Sequence, residues 1–153
     1  MKKISLLILI FILGSIAVYS QQQLVNKDGV CYKDNKLYTG NHKEYYENGN
    51  LSMELSIKNG LNDGISYYYY DNGTKKEQQS YKKGNKDGIW ISWNEKGTKV
   101  AEAQYLDGKK HGIWYIWDEN GTLIREMQYK NGEKTGTWKM WDSNGNLIQE
   151  KKY

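Results

Sequence analysis

The sequence has 153 residues, the size of one ordinary domain. It holds 16 glycines, 14 tyrosines and 6 tryptophans but no proline, a composition that indicates hairpin-rich β structure because glycine supplies turns and proline interrupts strand ladders. The net charge of +4 is too small for a dedicated nucleic-acid-binding protein, which usually presents a strongly basic face.

The N-terminal segment is predicted to be a secretory signal. It begins with the basic Lys2 and Lys3, continues with the apolar run 4–13 (ISLLILIFIL) and reaches small or medium residues before Ser20. These are the three parts of a cleavable signal peptide. Residues 1–20 are therefore expected to be removed, with export to the periplasm, the cell surface or the medium. Without them, 20 basic residues face 18 acidic ones, which leaves a net charge of +2.

A membrane anchor is the alternative reading of this segment. Its apolar stretch, 4–18, has 15 residues, whereas a membrane-spanning helix needs about 20, so the cleavable signal is favoured. Cys31 lies too far beyond the apolar run to carry a lipid, and a lone cysteine excludes an intrachain disulfide. We interpret Cys31 as a half-buried residue near the first strand.

Residues 21–32 form a polar N-terminal segment that leads into the first strands. The stretch 24–38 contains a Lys27-Asp28-Gly29 turn and is predicted to form a divergent opening hairpin. Because an open sheet edge recruits other strands, we expect this hairpin to cover the N-terminal edge of the sheet. Charged residues at 150–152 protect the other edge.

From residue 33 the sequence is built from repeat units of equal length without gaps. Tyr81, Tyr105 and Tyr129 are the first residues of three successive units, and the distance between them in sequence is the repeat length. The five units, here called units one to five, are 33–56, 57–80, 81–104, 105–128 and 129–152. Three sets of positions are predicted to be structural. They are the glycines at position eight (Gly88, Gly112, Gly136), the glycines at position seventeen (Gly97, Gly121, Gly145), and the aromatic residues at positions one (Tyr81, Tyr105, Tyr129) and thirteen (Trp93, Trp117, Trp141). Glycine normally weakens a strand, so its recurrence at position eight predicts an aromatic ring lying over the backbone there.

Each unit reads as one β-hairpin. In unit four the run 112–117 is aromatic and β-branched, as strands prefer, and 122–129 forms the return strand. Unit three has Lys96-Gly97 where the other units have Asn-Gly. Lysine disfavours positive φ, so we expect a three-residue turn in which only the glycine is left-handed and a bulge follows. The predicted fold is all-β, with tandem antiparallel hairpins in an elongated, twisted single-sheet solenoid.

The pattern Tyr-x-x-Gly-x-x-x-Gly-x-Trp-x-x-Trp-x-x-x-Gly resembles the bacterial variant of the MORN repeat. The resemblance covers 33–153 and is weaker in the first two units, where His42 and Ser66 replace the first Trp and Tyr45 and Tyr69 replace the second. Chains built from this repeat are commonly labelled YwqK-like antitoxins of toxin–antitoxin systems. The resemblance implies an all-β repeat fold and a binding role, and it carries no catalytic residues.

No unique polar constellation points to catalysis. Carboxylates recur at position 22 as Glu54, Glu102, Glu126 and Glu150, and repeated copies favour cross-strand pairing with lysines over an acid–base pair. His42 and His111 lie about three repeats apart, too far to share a metal. We therefore predict a protein that is not an enzyme and has no cofactor or metal.

The tryptophans at position ten, Trp90, Trp114 and Trp138, are the candidate binding residues. Unit two has a serine there, so the fold does not demand Trp, and Trp114→Ser is expected to change the melting temperature by only a few degrees. Tyr and Trp dominate interface hot spots. The four tyrosines of 67–70 are read as packing residues in preference to a ligand platform, because aromatic cross-strand pairs stabilise sheets.

The leading functional hypothesis is an exported protein-binding or scaffold module that uses one face of the repeats. The alternative is recognition of a carbohydrate or a membrane surface, such as a cell-envelope glycan or lipid, through the aromatic face. A hydrolase is a third and much weaker hypothesis. The expected partner is another protein, and no nucleic acid is expected.

Overall fold

The computed structural model of the chain describes residues 24–153, so the predicted signal at 1–20 lies outside the described residues. The regular elements of this part are fifteen strands. They are β1 (Val25–Lys27), β2 (Val30–Lys33), β3 (Lys36–Leu37), β4 (Gly40–Tyr45), β5 (Leu51–Lys58), β6 (Leu61–Asn62), β7 (Gly64–Tyr69), β8 (Lys75–Lys82), β9 (Asn85–Lys86), β10 (Gly88–Trp93), β11 (Lys99–Leu106), β12 (Lys109–Trp117), β13 (Leu123–Lys130), β14 (Glu133–Trp141) and β15 (Leu147–Lys152).

Ten long strands form one open antiparallel sheet in the order β15-β14-β13-β12-β11-β10-β8-β7-β5-β4, and the short strands β6 and β9 pair with β5 and β8. The hairpins are β4–β5, β7–β8, β10–β11, β12–β13 and β14–β15. Each long strand pairs only with the long strands that precede and follow it along the chain. The all-β, tandem-hairpin fold predicted from the sequence is confirmed.

The turn inside each hairpin has the predicted form. In unit three Gly97 has a φ of 83°, whereas Lys96 is not among the residues with positive φ. The Gly97 N–H donates to the Asn94 carbonyl at 2.9 Å, and the Asn94 N–H donates to the Thr98 carbonyl at 2.9 Å. The register then shifts between Ser92 and Trp93, which is the expected bulge.

The turns between units are tighter and are attached to the preceding repeat. Lys83 and Gly84 both have positive φ, 50° and 84°, the geometry of a two-residue hairpin turn. The Lys83 N–H donates to the Asp63 carboxylate at 3.0 Å, and the Gly84 N–H donates to the Asn62 carbonyl at 2.8 Å. These two hydrogen bonds hold a lysine in a conformation that it otherwise avoids.

The structure corrects the reason for glycine at position eight. Gly112 has a φ of 64° and lies where the register between β11 and β12 shifts, between Glu102 and Gln104. A Cβ on Gly112 would lie 2.8 Å from Cδ of Gln104, and none of the nearest atoms belongs to an aromatic ring. Glycine is required because the backbone is left-handed at a bulge and the Gln104 side chain lies close to it.

A single-layer sheet has little interior. Within the described residues the buried hydrophobic side chains are Cys31, Ile57 and Tyr129, and Ser66 is the one buried polar residue. Most strand side chains are half-buried on one face or the other. Stability must therefore come largely from contacts between neighbouring strands along each face.

The N-terminal strands β1–β3 form a separate three-stranded sheet and, contrary to the sequence-based expectation, do not pair with the edge strand β4. The sheet lies against the turn at Gly60, where the Cys31 N–H donates to the Gly60 carbonyl at 2.8 Å. A Cβ on Gly60 would lie 2.7 Å from a methyl group of Val30. The opening strands thus cover the first turn between units and, within the described part of the chain, leave the edge of β4 unpaired.

Candidate functional site

Strand alternation gives the sheet two chemically different faces. We call the face that carries Trp90, Trp114 and Trp138 the ladder face, and the opposite one the carboxylate face. Trp114 lies opposite Met127, whereas its neighbour Tyr115 lies opposite Glu126. Residues directly opposite each other share a face, so the registers place the strand carboxylates Glu102, Glu126 and Glu150 opposite the tryptophan side.

The ladder face carries an unbroken row of seven aromatic rings. They alternate as Tyr81, Trp90, Tyr105, Trp114, Tyr129, Trp138 and Tyr153. Successive ring centroids are 4.8–5.4 Å apart and the rings are tilted by 52–62°, the edge-to-face geometry that aromatic pairs prefer. Each half-buried Trp therefore packs between two tyrosines.

Each of these tryptophans also has a fixed orientation. The indole N–H of Trp114 donates to the Gln104 carbonyl at 2.9 Å, and the equivalent bonds join Trp90 to Ser80 and Trp138 to Gln128. The indole nitrogens are thus committed within the fold. A ligand therefore does not find these N–H groups free to donate.

A lysine caps each step of the ladder. The Nζ atom of Lys86 lies 4.1 Å from the Trp90 ring centroid, that of Lys110 lies 4.5 Å from Trp114, and that of Lys134 lies 4.6 Å from Trp138. The same three ammonium groups lie 4.9, 4.9 and 5.0 Å from the next tyrosine ring. These are cation–π distances. The ladder face therefore presents cations supported on aromatic rings.

The sequence-based reasoning missed these lysines, although a signal existed. Lysine occupies position six in units three to five, where Trp occupies position ten. Units one and two have Tyr38 and Asn62 at position six, and neither has Trp at position ten. The two residue types occur together because they contact each other.

Among the described residues, no carboxylate forms an ion pair with these cations. The ion pairs found in residues 24–153 are His42–Glu44, Lys43–Glu54 and Lys99–Glu102, and none of them includes a capping lysine. Arg125 and Lys151 add two further cations to this face, since Arg125 lies opposite Met140 and Lys151 opposite Trp138. In units three to five the ladder face is thus positively charged.

A pocket of about 190 Å³ opens at the C-terminal end of the ladder face. Its walls include Arg125, Met127, Trp138, Met140, Lys151 and Tyr153. Three cationic residues, Arg125, Lys139 and Lys151, line the pocket together with mainly apolar side chains. This arrangement suits an anionic group attached to an apolar one.

On the carboxylate face, two of the position-22 carboxylates form ion pairs with lysines. Glu54 pairs across the strands with Lys43 at 3.4 Å, as predicted for position 22, whereas Glu102 pairs at 2.9 Å with Lys99 of its own strand. Glu126 and Glu150 both lie opposite Lys139 in the register without a close ion pair. The position-thirteen rings lie on this face, where Lys99 lies 4.4 Å from the Trp117 ring centroid.

Three exposed isoleucines also belong to the carboxylate face. Ile65, Ile89 and Ile113 are 41–46% exposed and occupy position nine of units two, three and four. They alternate with the tryptophans along their strands and therefore point away from the ladder. These three isoleucines and the three capping lysines thus lie on opposite sides of the sheet.

The tyrosines at the start of the ladder are strongly perturbed. Burial, followed by the neighbouring Tyr68, Glu77 and Tyr105, raises the pKa of Tyr81 to about 12. Burial and Glu77 also raise the pKa of Tyr68. Tyr68 belongs to the run 67–70, so this part of the run packs within the sheet, as predicted. Both phenols are neutral at physiological pH.

The remaining candidates show no reactive chemistry. Cys31 is only 4% exposed, more buried than expected, and burial raises its thiol pKa. His42 contacts Glu44 at 3.0 Å. No group of three or more metal-ligating side chains occurs among the described residues. In the same part of the chain, no helix has the length and apolarity of a membrane span.

Comparison with known sequences adds a family. The profile of the MORN repeat variant matches residues 38–59, 62–83, 110–131 and 134–153, more than half of the chain. The matches leave out 84–109, although β10 and β11 there show the same register and bulge as the other hairpins. No curated protein matches the sequence.

Proposed function

Because this chain belongs to the MORN repeat variant family, we propose that it is a non-enzymatic binding protein whose ladder face holds an acidic segment of another protein. MORN repeats commonly mediate contacts with proteins or membranes. The observation that carries the proposal is the row of lysines on aromatic rings, with no carboxylate paired to any of them in the described part. Such a surface complements a negatively charged partner.

The distribution of apolar side chains favours a protein partner over a lipid bilayer. An element that binds at a membrane interface buries an exposed apolar face in the bilayer, and attraction of its basic residues to anionic lipids adds to that binding. Here the exposed Ile65, Ile89 and Ile113 lie on the carboxylate face, away from the capping lysines. The ladder face offers charge and half-buried rings, which suit an extended polar chain.

Binding of a labelled ten-residue oligoglutamate, followed by fluorescence anisotropy, tests this proposal. We expect binding that weakens as salt rises, because exposed charges are screened, and weaker binding by Lys110→Gln. Lys99→Gln is the matched control, since Lys99 also caps a Trp ring but lies on the carboxylate face. Equal loss in both variants, or binding only to phosphatidylserine vesicles or to arrayed glycans, would contradict the proposal.

We also propose that the protein acts outside the cytoplasm, from the basic start and apolar run of residues 1–20. N-terminal sequencing of protein made in its own host should find a chain that begins near Gln21. An intact Met1 in a cytosolic fraction would refute export. In that case the antitoxin role implied by the family resemblance becomes the natural form of protein capture, and co-expression with a neighbouring toxin would test it.

A further inference from the structure

The three capping lysines form an evenly spaced row across the sheet. Lys86, Lys110 and Lys134 each occupy position six, and each lies over the Trp four residues later in sequence. One unit adds two strands, and neighbouring strands are about 4.8 Å apart, so successive ammonium groups are separated by about 9.6 Å. From Lys86 to Lys134 the row spans about 19 Å.

This spacing selects among the conformations of a partner chain. A polyproline II helix advances about 3.1 Å per residue with three residues per turn, so every third side chain returns to the same side after about 9.3 Å. In a β-strand, side chains on one side recur after about 6.6 Å. In an α-helix the nearest match is seven residues, or about 10.5 Å. Over two intervals the polyproline helix deviates by about 0.6 Å, whereas the α-helix deviates by about 1.8 Å.

We infer that the segment held by the ladder face is a polyproline II helix with an acidic residue at every third position, running across the strands from unit three to unit five. The inference rests on the proposed function and specifies its ligand. The acidic side chains meet Lys86, Lys110 and Lys134, while the intervening prolines pack on the ring edges between them. Proline-rich helices bind aromatic-lined surfaces in this way because they are ordered before binding.

The C-terminal pocket lies beside the last rings of the row. Arg125 and Lys151 lie in its wall with Trp138 and Tyr153, the two rings that Lys134 contacts. A further acidic side chain of the segment fits between these cations, with an apolar neighbour on Met127. The site is therefore directional, because its N-terminal end at unit two has no comparable lysine or tryptophan.

Fluorescence anisotropy of the full chain with labelled fifteen-residue peptides tests the inference. The cognate probe is (Glu-Pro-Pro)5, and its matched control has the same composition with glutamates spaced alternately by two and four residues. A third probe, (Glu-Gly-Gly)5, keeps the spacing but not the rigid helix. We expect (Glu-Pro-Pro)5 to bind at least tenfold more tightly than either, and (Lys-Pro-Pro)5 to show no binding.

Protein variants locate the site. An exposed ion pair changes affinity about two- to fivefold, so Lys110→Gln should weaken (Glu-Pro-Pro)5 binding about threefold, and the triple change at 86, 110 and 134 by tenfold or more. Lys99→Gln should leave it unchanged. Circular dichroism of the variants establishes that the fold is retained, and the single variant serves if the triple one unfolds.

The outcomes separate this inference from the broader proposal. If both glutamate–proline peptides and oligoglutamate bind equally, the ladder face binds acidic chains but the polyproline geometry is wrong. If no acidic peptide binds, both the inference and the proposed function are wrong. Tight, spacing-dependent binding that survives the triple change would place the site elsewhere and refute the inference.

Discussion

Replacing Trp114 by serine measures how much the aromatic ladder stabilises the sheet. Trp114 packs against Tyr105 and Tyr129 at centroid distances of 5.1 and 5.2 Å, and its indole N–H donates to Gln104 at 2.9 Å. Each aromatic pair contributes about 0.5–1.5 kcal/mol and the hydrogen bond a similar amount. The variant should therefore lose about 2–4 kcal/mol of unfolding free energy, or roughly 5–15 °C in melting temperature for a chain of this size.

Urea denaturation of the full chain, followed by far-UV circular dichroism, measures this loss without relying on Trp fluorescence. Ile113→Ser is the matched control, because Ile113 is the preceding residue in the same strand, points to the carboxylate face and is 41% exposed. Burying an aliphatic side chain completely contributes about 1.5–3 kcal/mol. Removing the half-buried Ile113 side chain should therefore lower the free energy of unfolding by about 1 kcal/mol. Trp114→Phe, which retains the ring contacts but not the hydrogen bond, should fall between the two.

A Trp114→Ser variant no less stable than Ile113→Ser would refute the reasoning. It would show that the ladder contacts add little and would restore the sequence-based expectation of a change of a few degrees. The structure argues against that expectation, because the surroundings of the serine in unit two differ from those of Trp114. Ser66 is fully buried and accepts a hydrogen bond from the Ser56 N–H at 3.2 Å.

Three further predictions follow from single residues. Gly112→Val should lower the free energy of unfolding by more than the roughly 1–2 kcal/mol that a left-handed residue costs. It should also cost more than Gly108→Val, because a Cβ at Gly108 meets nothing within 4 Å. Equal losses of the two variants in urea denaturation would argue against crowding at the bulge. His111→Asp should raise the melting temperature by a few degrees, since in the described structure the His111 Nδ1 is buried without a partner. An aspartate at this position can accept a hydrogen bond from the Asn131 N–H, as Asp87 accepts one from the Asp107 N–H. An unchanged or lower melting temperature contradicts this. The pKa of Tyr81 is raised to about 12, so its contribution to stability is complete below the unfolded pKa of about 10 and is lost as pH rises from there to about 12. Tyr81→Phe should remove the phenol that titrates last in an ultraviolet titration. An identical titration would show that another tyrosine is responsible.

The fold was predictable because the repeat supplies the same local signals many times. Glycine at fixed intervals located the turns, and Lys96 identified the turn type by the conformation it disfavours. Strand alternation correctly separated Trp114 from Tyr115. The pairing of Glu54 with Lys43 also followed from simple cross-strand reasoning, whereas Glu102 pairs with a lysine of its own strand.

The site was less predictable because its contacts join residues on different strands. Periodicity places Trp114 on a face but does not show that Tyr105 and Tyr129 lie on either side of it or that Lys110 covers it. The glycine at position eight was misread for a related reason. Its neighbour is determined by the bulge, which moves the Gln104 side chain towards Gly112, and strand alternation alone does not describe a bulge.

Each repeat contributes two strands to the sheet, and this has a consequence for how the chain can change in length. Excising one whole unit, such as 105–128, would join Gln104 to Tyr129, and every strand on either side of the junction would keep its register, its face and its type of neighbour. Excising half a unit would instead join two strands that run in the same direction and need a long crossover. Proteins built in this way can therefore become longer or shorter by one complete hairpin at a time. Each step changes the length of the lysine row but not the contacts around each lysine.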